Sequence, residues 1–368
     1  MDNNFRFKLS NKPKGDCPSC GAKKRFCHYV DTATGLAVDA AVCGKCDRVY
    51  NCGYHLPPGE YFKEVRQRQG HIRRPLRPVR RPGVTVPVPP PVDAAMVSAT
   101  MERDPAVMNP LYRYFEGLFG VFGGREGVVG RVVAEEFGRY GAGTSTAWGG
   151  SAVFWLYDSE CGPGPKVVDG KIMAFDAATG KRVKEPFPKI TFVSKRLSAR
   201  DGKDYQTLFK PMFGEHLLAG RTERGAGRRV VVVESEKTAV ALAVLSRFMP
   251  VFGGGDTVFV AVQSVNGFTG RNVAVLRRFL SKSRHNTLVL CPDAGCEELW
   301  SRVAAERFAL FAATGQVGLY DTSSRLFVDA GADALDYVED AFRRGVSLRS
   351  VRERFEWPRP AKDAPLLS

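Results

Sequence analysis

Two closely spaced pairs of cysteines lie near the start of the chain. CPSCG at residues 17–21 and CGKC at residues 43–46 give the pattern C-x2-C, a 22-residue spacer and C-x2-C. Thiolate pairs on two tight turns can complete the tetrahedral coordination that zinc prefers. The segment around them is short, glycine-rich and charged, so burial of apolar side chains alone cannot fold it. The spacing therefore predicts a zinc ribbon that holds one zinc ion.

Spacing alone does not select the four zinc ligands. Cys27 and Cys52 lie in the same segment, and His28 and His55 could also bind the metal. A site made of four thiolates has no open position for a water molecule. We therefore expect a structural zinc ion, without hydrolytic chemistry.

The chain has nine cysteines in 368 residues. An odd number of cysteines, behind an N-terminus without the apolar core of a signal peptide, favours metal ligands or free thiols over a disulfide framework. No stretch reaches the ~18 apolar residues that a membrane-spanning helix needs. We expect a cytoplasmic protein without a membrane partner.

Positive charge is concentrated in the first quarter of the chain. The whole chain has 54 Lys and Arg against 39 Asp and Glu, a net charge of +15; residues 1–92 hold 17 basic and 7 acidic side chains, which gives +10 of that total. Clustered positive charge favours polyanions, with nucleic acid the first candidate and an anionic membrane surface the second. A basic segment that only improves solubility is the alternative.

The composition changes along the chain and predicts several regions. Residues 70–92 contain seven prolines and five arginines, which favours an extended tether over a packed core. Residues 149–191 contain short apolar runs separated by turn signals, typical of an antiparallel meander. From residue 229 onward, apolar β-branched runs alternate with helical patterns, which indicates a parallel sheet covered on both faces. Helices are predicted around residues 110–119, 132–140 and 334–343.

Two acidic residues come directly after apolar strands of the predicted parallel sheet. VVVVESEKTAVAL places Glu234 at the end of one strand, and LVLCPDAG places Asp293 at the end of another. The carboxyl ends of parallel strands meet at one edge of a sheet, where ligands collect. Paired carboxylates there can hold Mg²⁺, which prefers hard oxygen ligands. The alternative is that each acid caps the helix that follows it.

The segments that carry these acids resemble a known family. VVVVESEKTAVALAVL is similar to the first Toprim motif, NTLVLCPDAG is similar to the second, and ADALDYV resembles the Asp-rich tail of many primases. More narrowly, the chain resembles an uncharacterised Toprim-containing family from mobile genetic elements of gut bacteria, over roughly residues 15–340. The matching segments, in order, are CPSCG, CGKCDRVYNCGYHLPPGEYF, SAVFWLYD, GKIMAFDAATGKRVK, LFKPMFGEHLL and VVVESEKTAV.

Together with the composition, the resemblance implies an α/β protein with an N-terminal zinc β-ribbon, a β-rich middle region and a C-terminal Toprim-type parallel-sheet domain. The predicted division is a zinc ribbon over residues 1–69, a basic Pro/Arg-rich linker over 70–105, an α+β middle region over 106–225, a Toprim-like domain over 226–345 and a C-terminal tail over 346–368.

The resemblance also assigns roles to the strand-end residues. In Toprim enzymes the glutamate acts as general acid/base and the aspartates hold Mg²⁺, and these roles fall here on Glu234 and Asp293. Lys237, in the first turn of the next helix, could help to receive a phosphate, or it could be an ordinary solvated helix residue.

One departure from the Toprim pattern bears on activity. The usual second motif is Asp-x-Asp, whereas Asp293 is followed by Ala294 and Gly295, so one metal carboxylate is missing. Other acids could compensate by position: Glu297, Asp321 and Asp333.

For the zinc site, the resemblance implies Cys17, Cys20, Cys46 and Cys52, with Cys43 as the alternative fourth ligand. It implies a primase-like protein that binds DNA, expected to be single-stranded, and performs Mg²⁺-dependent nucleotidyl transfer, with a helicase or other replication proteins as possible partners. The alternatives are a catalytically inactive DNA-binding accessory protein and a Toprim nuclease.

Overall fold

The computed structural model divides into two compact units, Met1–Val86 and Pro87–Ser368, and each is described by itself. Most of the predicted linker, including all of residues 70–90, lies outside the described residues. The residues that the structure describes are 6–10, 15–32, 34–48, 52, 54–62, 91–123, 127–160, 166–205, 209–219, 227–252 and 256–355.

The N-terminal unit contains a three-stranded antiparallel sheet in the order β1-β2-β3. Its strands are β1 (Phe7–Leu9), β2 (Phe26–Asp31) and β3 (Gly44–Cys46), and a helical segment, α1, follows over residues 58–62. The register places Cys46 opposite Phe26 and Gly44 opposite His28. Gly44 is needed there, because a Cβ atom would lie 2.3 Å from the carbonyl oxygen of Cys27.

The larger unit begins with helices and a four-stranded antiparallel sheet in the order β4-β5-β6-β7. The pattern of residues 149–191 predicted this meander. Its elements are α2 (Ala94–Met101), α3 (Pro105–Met108), α4 (Pro110–Leu118), α5 (Val128–Tyr140), β4 (Ala142–Ser145), β5 (Ser151–Asp158), β6 (Lys166–Met173), β7 (Ile190–Phe192) and α6 (Val193–Asp201). Helix α2 lies within residues assigned to the linker from sequence.

A second four-stranded sheet is parallel throughout and has the order β11-β10-β8-β9. This confirms the predicted C-terminal parallel sheet. Its elements are β8 (Arg228–Val233), α7 (Glu236–Phe248), β9 (Asp256–Ala261), α8 (Gly270–Ser281), β10 (Thr287–Leu290), α9 (Glu297–Ala313), β11 (Val317–Leu319), α10 (Thr322–Leu326), α11 (Ala334–Arg343) and α12 (Leu348–Phe355).

The two sheets of this unit share one hydrophobic core. Phe154 of β5 and Phe213, whose rings lie edge to face at 5.3 Å, belong to the same buried cluster as Val231 and Val233 of β8. The alternate β8 residues, Val230 and Val232, enter a separate cluster on the other face, as side-chain alternation along a strand requires. The middle region and the parallel-sheet region therefore pack as one body.

A buried ion pair also connects the two sheets. The Lys171 ammonium of β6 contacts both carboxylate oxygens of Glu236, in the first turn of α7, at 2.9 Å. Glu236 is 1% exposed. An unpaired charge at that depth would be strongly unfavourable, so this pair constrains the start of α7 against the antiparallel sheet.

The last described helix, α12, lies within the segment assigned from sequence to the C-terminal tail. Its Phe355 side chain is fully buried, and the Phe355 carbonyl accepts a hydrogen bond from the backbone N–H of Phe252 at 2.8 Å. None of the described helices is both long enough and apolar enough to cross a membrane.

Candidate functional site

Four cysteine thiols converge in the N-terminal unit. The Sγ atoms of Cys17, Cys20, Cys46 and Cys52 all lie within 4.8 Å of one another, and those of Cys17 and Cys52 are 3.6 Å apart. A zinc ion bound tetrahedrally with Zn–S distances near 2.3 Å requires sulfur–sulfur separations of about 3.8 Å. A disulfide requires about 2.05 Å. The cluster therefore has the dimensions of a zinc site.

Local backbone geometry places these thiols. Gly21, at φ +67°, closes a turn in which its N–H donates to the carbonyl of Cys17 at 2.9 Å. The N–H of Cys46 donates to the carbonyl of Tyr54 at 2.9 Å, so the two ends of the second cysteine segment are held together. Phe26, fully buried, packs with the cysteines and is the centre of this small core.

Two of the thiols differ in their ionisation. Burial raises the pKa of Cys46 to about 12, whereas hydrogen bonding, first from the backbone of Tyr54, lowers the pKa of Cys52 to about 7. Four thiolates this close repel one another unless a cation lies between them, and Zn²⁺ supplies that charge. The thiol cluster supports a structural zinc ion, held by the four cysteines that the resemblance implied.

The other candidate ligands of this unit lie outside the cluster. Cys43 is fully buried but does not belong to the converging group. The Cys27 thiol donates to the Asp47 carboxylate at 3.5 Å. His55 stacks on Tyr29 and contacts its hydroxyl at 2.9 Å.

The predicted strand-end acids lie at one edge of the parallel sheet. Glu234 directly follows β8 and is 8% exposed, while Asp293 follows β10 and is half-buried. β8 and β10 are hydrogen-bonded neighbours that run in the same direction. The parallel sheet therefore places the two acids after the ends of neighbouring strands.

Neighbouring acids shift the pKa values of both Glu234 and Asp293. Burial, together with the charges of Glu234, Asp333 and Asp336, raises the pKa of Asp293 to about 8. Burial also raises the pKa of Glu234, and the charge of Asp333 adds to that effect. The backbone N–H of Asp293 and the indole of Trp300 act in the opposite direction on Glu234. Three carboxylates thus share one electrostatic environment.

A buried indole N–H, that of Trp300, also lies beside Glu234. The Trp300 side chain is fully buried. Its indole N–H acts on Glu234 as a hydrogen-bond donor that lowers the pKa of the carboxyl group. A buried N–H is costly without an acceptor, so Trp300 and Glu234 belong to one polar group at this edge of the sheet.

The Lys237 ammonium is bound by groups other than the strand-end acids. Its ammonium donates to Glu339 and to the carbonyl of Gly180, both at 3.0 Å, and its side chain is only 15% exposed. The structure thus gives Lys237 two structural partners. It is neither the solvated lysine nor the free phosphate-binding group considered from sequence.

The acids considered as substitutes for the missing aspartate have structural partners. Glu297 accepts hydrogen bonds from Ser323 and from the N–H of Gly295. Asp321 caps α10. Asp333 caps α11 and accepts a hydrogen bond from Thr238, and of these three it is the one whose charge raises the pKa of both Glu234 and Asp293. Sequence reasoning had named Asp333 together with Glu297 and Asp321, without distinguishing it from them.

The strand-end acids are less closely grouped than the cysteines. Over the described ranges, the thiol cluster is the single set of three or more Cys, His, Asp or Glu ligand atoms that lie within 4.8 Å of one another. Glu234, Asp293 and Asp333 are therefore electrostatic neighbours without forming a three-ligand metal cage.

The fold and the thiol cluster define a zinc-ribbon protein that also carries a mixed α/β unit. Residues 5–67 match a family of zinc beta-ribbon fingers, and such a ribbon indicates nucleic-acid binding. The chain belongs to the family described as Domain of unknown function (DUF6371), which matches residues 109–294. Neither match names a Toprim fold or a primase activity. No curated protein matches this chain.

Proposed function

We propose that this protein is a primase-like DNA-binding protein whose parallel sheet is a Toprim-type domain. In this proposal the zinc ribbon and the basic residues 1–92 bind single-stranded DNA, and Glu234 and Asp293 support Mg²⁺-dependent nucleotidyl transfer during replication or mobilisation of a mobile element. The observation that carries it is that Glu234 and Asp293 follow neighbouring parallel strands and that the charge of Glu234 raises the pKa of Asp293.

The donor set fits Mg²⁺. Glu234 and Asp293 offer hard carboxylate oxygens, and their mutual repulsion would be relieved by a divalent cation. Mg²⁺ would neutralise phosphate charge at the reacting centre.

The two acids would have different roles in nucleotidyl transfer. Asp293 would hold the cation, and Glu234 would move the proton, since burial raises the pKa of Glu234 toward the range in which a carboxylate is an effective acid or base. Lys237, tied to Glu339, would act by fixing the first helical turn and not by direct contact with phosphate.

A second candidate is a DNA-binding accessory protein without activity, and a specific observation favours it. Gly295, where Toprim enzymes carry the second aspartate, adopts φ +84° and donates its N–H to Glu297 at 2.7 Å. That position supplies no carboxylate, and Glu297 is engaged by Ser323 as well.

One experiment separates the two. Primer synthesis on single-stranded DNA with labelled ribonucleotides would be measured with and without Mg²⁺ in the wild type, Glu234→Gln and Asp293→Asn. Glu298→Gln, an exposed acid one position after Glu297, is the matched control. We expect Mg²⁺-dependent synthesis that both site variants abolish, while zinc content and DNA affinity stay unchanged.

Other outcomes are equally informative. Full synthesis by either site variant would remove Glu234 and Asp293 from the chemistry. A wild type that binds DNA but makes no product under any metal condition would identify the accessory protein.

A further inference from the structure

A cavity of about 560 Å³ lies on the antiparallel sheet, away from the strand-end acids. Its floor is the face of β5 and β6 that carries Val153, Trp155 and Ile172, opposite to the face whose side chains enter the shared core. Helices α2 and α6 form the other walls, through residues that include Met96 and Leu197. The volume is in the range of small-molecule sites, ~300–1,000 Å³.

The floor of this cavity is apolar and rigid. Val153, Trp155 and Ile172 are all 5% exposed or less. The Trp155 indole N–H donates to the Thr100 hydroxyl at 2.8 Å, and that hydroxyl donates to the carbonyl of Val97 at 2.8 Å. The floor is therefore held in place before any ligand arrives.

The mouth of the cavity is cationic. Arg103, Arg196 and Arg200 line it, against a single acid, Asp93. The Asp93 carboxylate caps α2 by accepting the N–H of Ala95.

Within the described residues, two of these arginines have no carboxylate partner. Arg200 is paired with Asp201. Arg103 donates to a backbone oxygen, that of Thr144, at 3.0 Å. For Arg196, the described part of the chain provides no ion pair. Guanidinium groups at the mouth of an apolar cavity match phosphate through paired N–H donors.

We infer that this cavity binds a nucleotide, with the base between α2 and α6 and the phosphate at Arg103 and Arg196. A single nucleotide has the size, the flat apolar part and the anionic end that the cavity requires, and Ser145 and Thr146 are the polar residues of its wall. The nucleotide is either free or an unpaired position of a DNA strand. This site goes beyond the proposed function, because it uses neither the thiol cluster nor Glu234 and Asp293.

The test is calorimetric titration of the full-length protein with AMP, and separately with a short oligothymidylate, in buffer without Mg²⁺. Two charge-reversal variants on the same helix form a matched pair: Arg196→Glu removes a cavity arginine, and Lys195→Glu reverses an exposed charge that does not line the cavity. We expect Arg196→Glu to weaken binding at least about tenfold. Lys195→Glu should change it by about twofold or less, a salt-screened effect.

A cavity-filling variant gives an independent readout. Ala99→Trp places a large side chain at the mouth from α2, and circular dichroism would verify that the fold is kept. It should abolish AMP binding, whereas DNA binding by residues 1–92 should remain. Because residues 1–92 are themselves expected to bind the oligonucleotide, the cavity's share of that binding is the part lost in Arg196→Glu and kept in Lys195→Glu. AMP binding without such a loss would identify a free nucleotide as the ligand, and the loss would identify a nucleotide of a DNA strand. Equal effects of Arg196→Glu and Lys195→Glu, unchanged AMP binding by Ala99→Trp, or no AMP binding together with no such loss would overturn the inference.

Discussion

Replacing Asp293 by asparagine should stabilise the folded protein at neutral pH when no divalent cation is present. Burial and the neighbouring Glu234 and Asp333 charges raise the pKa of Asp293 to about 8, against 3.8 for an unperturbed aspartate. The Asp293 carboxyl group binds its proton more tightly in the folded state than in the unfolded state. This carboxyl group therefore does not lower the free energy of unfolding of the wild type below pH ~4, and it lowers it progressively as the pH rises toward 8. Asparagine is neutral in both states and escapes this loss.

The magnitude follows from the gap between the two pKa values. At pH 7 the aspartate of the unfolded chain is ionised, because pH 7 lies about 3 units above its pKa. In the folded protein the carboxyl group is still mostly protonated. Each unit corresponds to a free energy of about 1.4 kcal/mol. The upper limit is therefore about 4 kcal/mol. Asp293 is half-buried, and water and local relaxation reduce such effects, so about 1–2 kcal/mol is the expected gain.

Urea unfolding at several pH values would measure this effect, with tryptophan fluorescence as the signal from the buried Trp155 and Trp300. The gain of Asp293→Asn should be near zero at pH 4 and should reach its plateau near pH 8. Added Mg²⁺ should stabilise the wild type and not the variant. Asp329→Asn, at an exposed position, is the control.

A variant that is no more stable than the wild type at pH 7, or a gain that does not change between pH 4 and pH 8, would refute the reasoning. It would mean that Glu234, Asp333 and Asp293 do not share one environment in solution.

Three further outcomes are expected. Cys17→Ser should lose zinc by metal analysis and unfold the ribbon, whereas Cys27→Ser, whose thiol is outside the cluster, should keep it; equal zinc contents would contradict the site. Residues 93–368 alone should lose most of the DNA affinity, and binding by the full chain should weaken steeply with salt; a salt titration with equal affinities would count against the ribbon. Lys171→Met should destabilise the protein by about 3–5 kcal/mol in urea unfolding, because Glu236 is left buried without a partner; a smaller loss than in an exposed-lysine control would be inconsistent with the buried pair.

The regular elements of the parallel sheet could be predicted from sequence because their signals are local. The run Val230–Val233 is apolar on both faces and β-branched, which identifies an interior strand, and the structure has β8 there. Helix α11 begins with a capping box at Asp333 and has a strongly one-sided apolar pattern. Such signals depend on residues within a few positions of one another.

The neighbourhood of the strand-end acids could be predicted only in part. Glu234 and Asp293 follow from strand ends, but Lys237 meets Glu339, 102 positions away, and Lys171 meets Glu236, 65 positions away. Which face of α7 each charge occupies depends on the packing of the antiparallel sheet. No local pattern in the sequence encodes that arrangement.

The zinc ligands could be predicted from spacing for one pair of cysteines and not for the other. The C-x2-C spacing identifies Cys17 and Cys20, but it offers Cys43 and Cys46 as the second pair. The structure instead groups Cys46 with Cys52. Residues 49–51, between Cys46 and Cys52, lie outside the described residues. The choice between Cys43 and Cys52 depends on how β3 pairs with β2, which a spacing rule does not contain.

The position of β10 inside its sheet limits how this chain can be shortened. The family match ends at residue 294, directly after β10, yet β11 pairs with the outer side of that strand. A fragment ending there would expose the unpaired edge of an apolar strand, which readily pairs with a second molecule. It would also remove Trp300 and Phe355, both fully buried. A fragment that keeps this strand paired and these side chains in the core must therefore extend through Phe355.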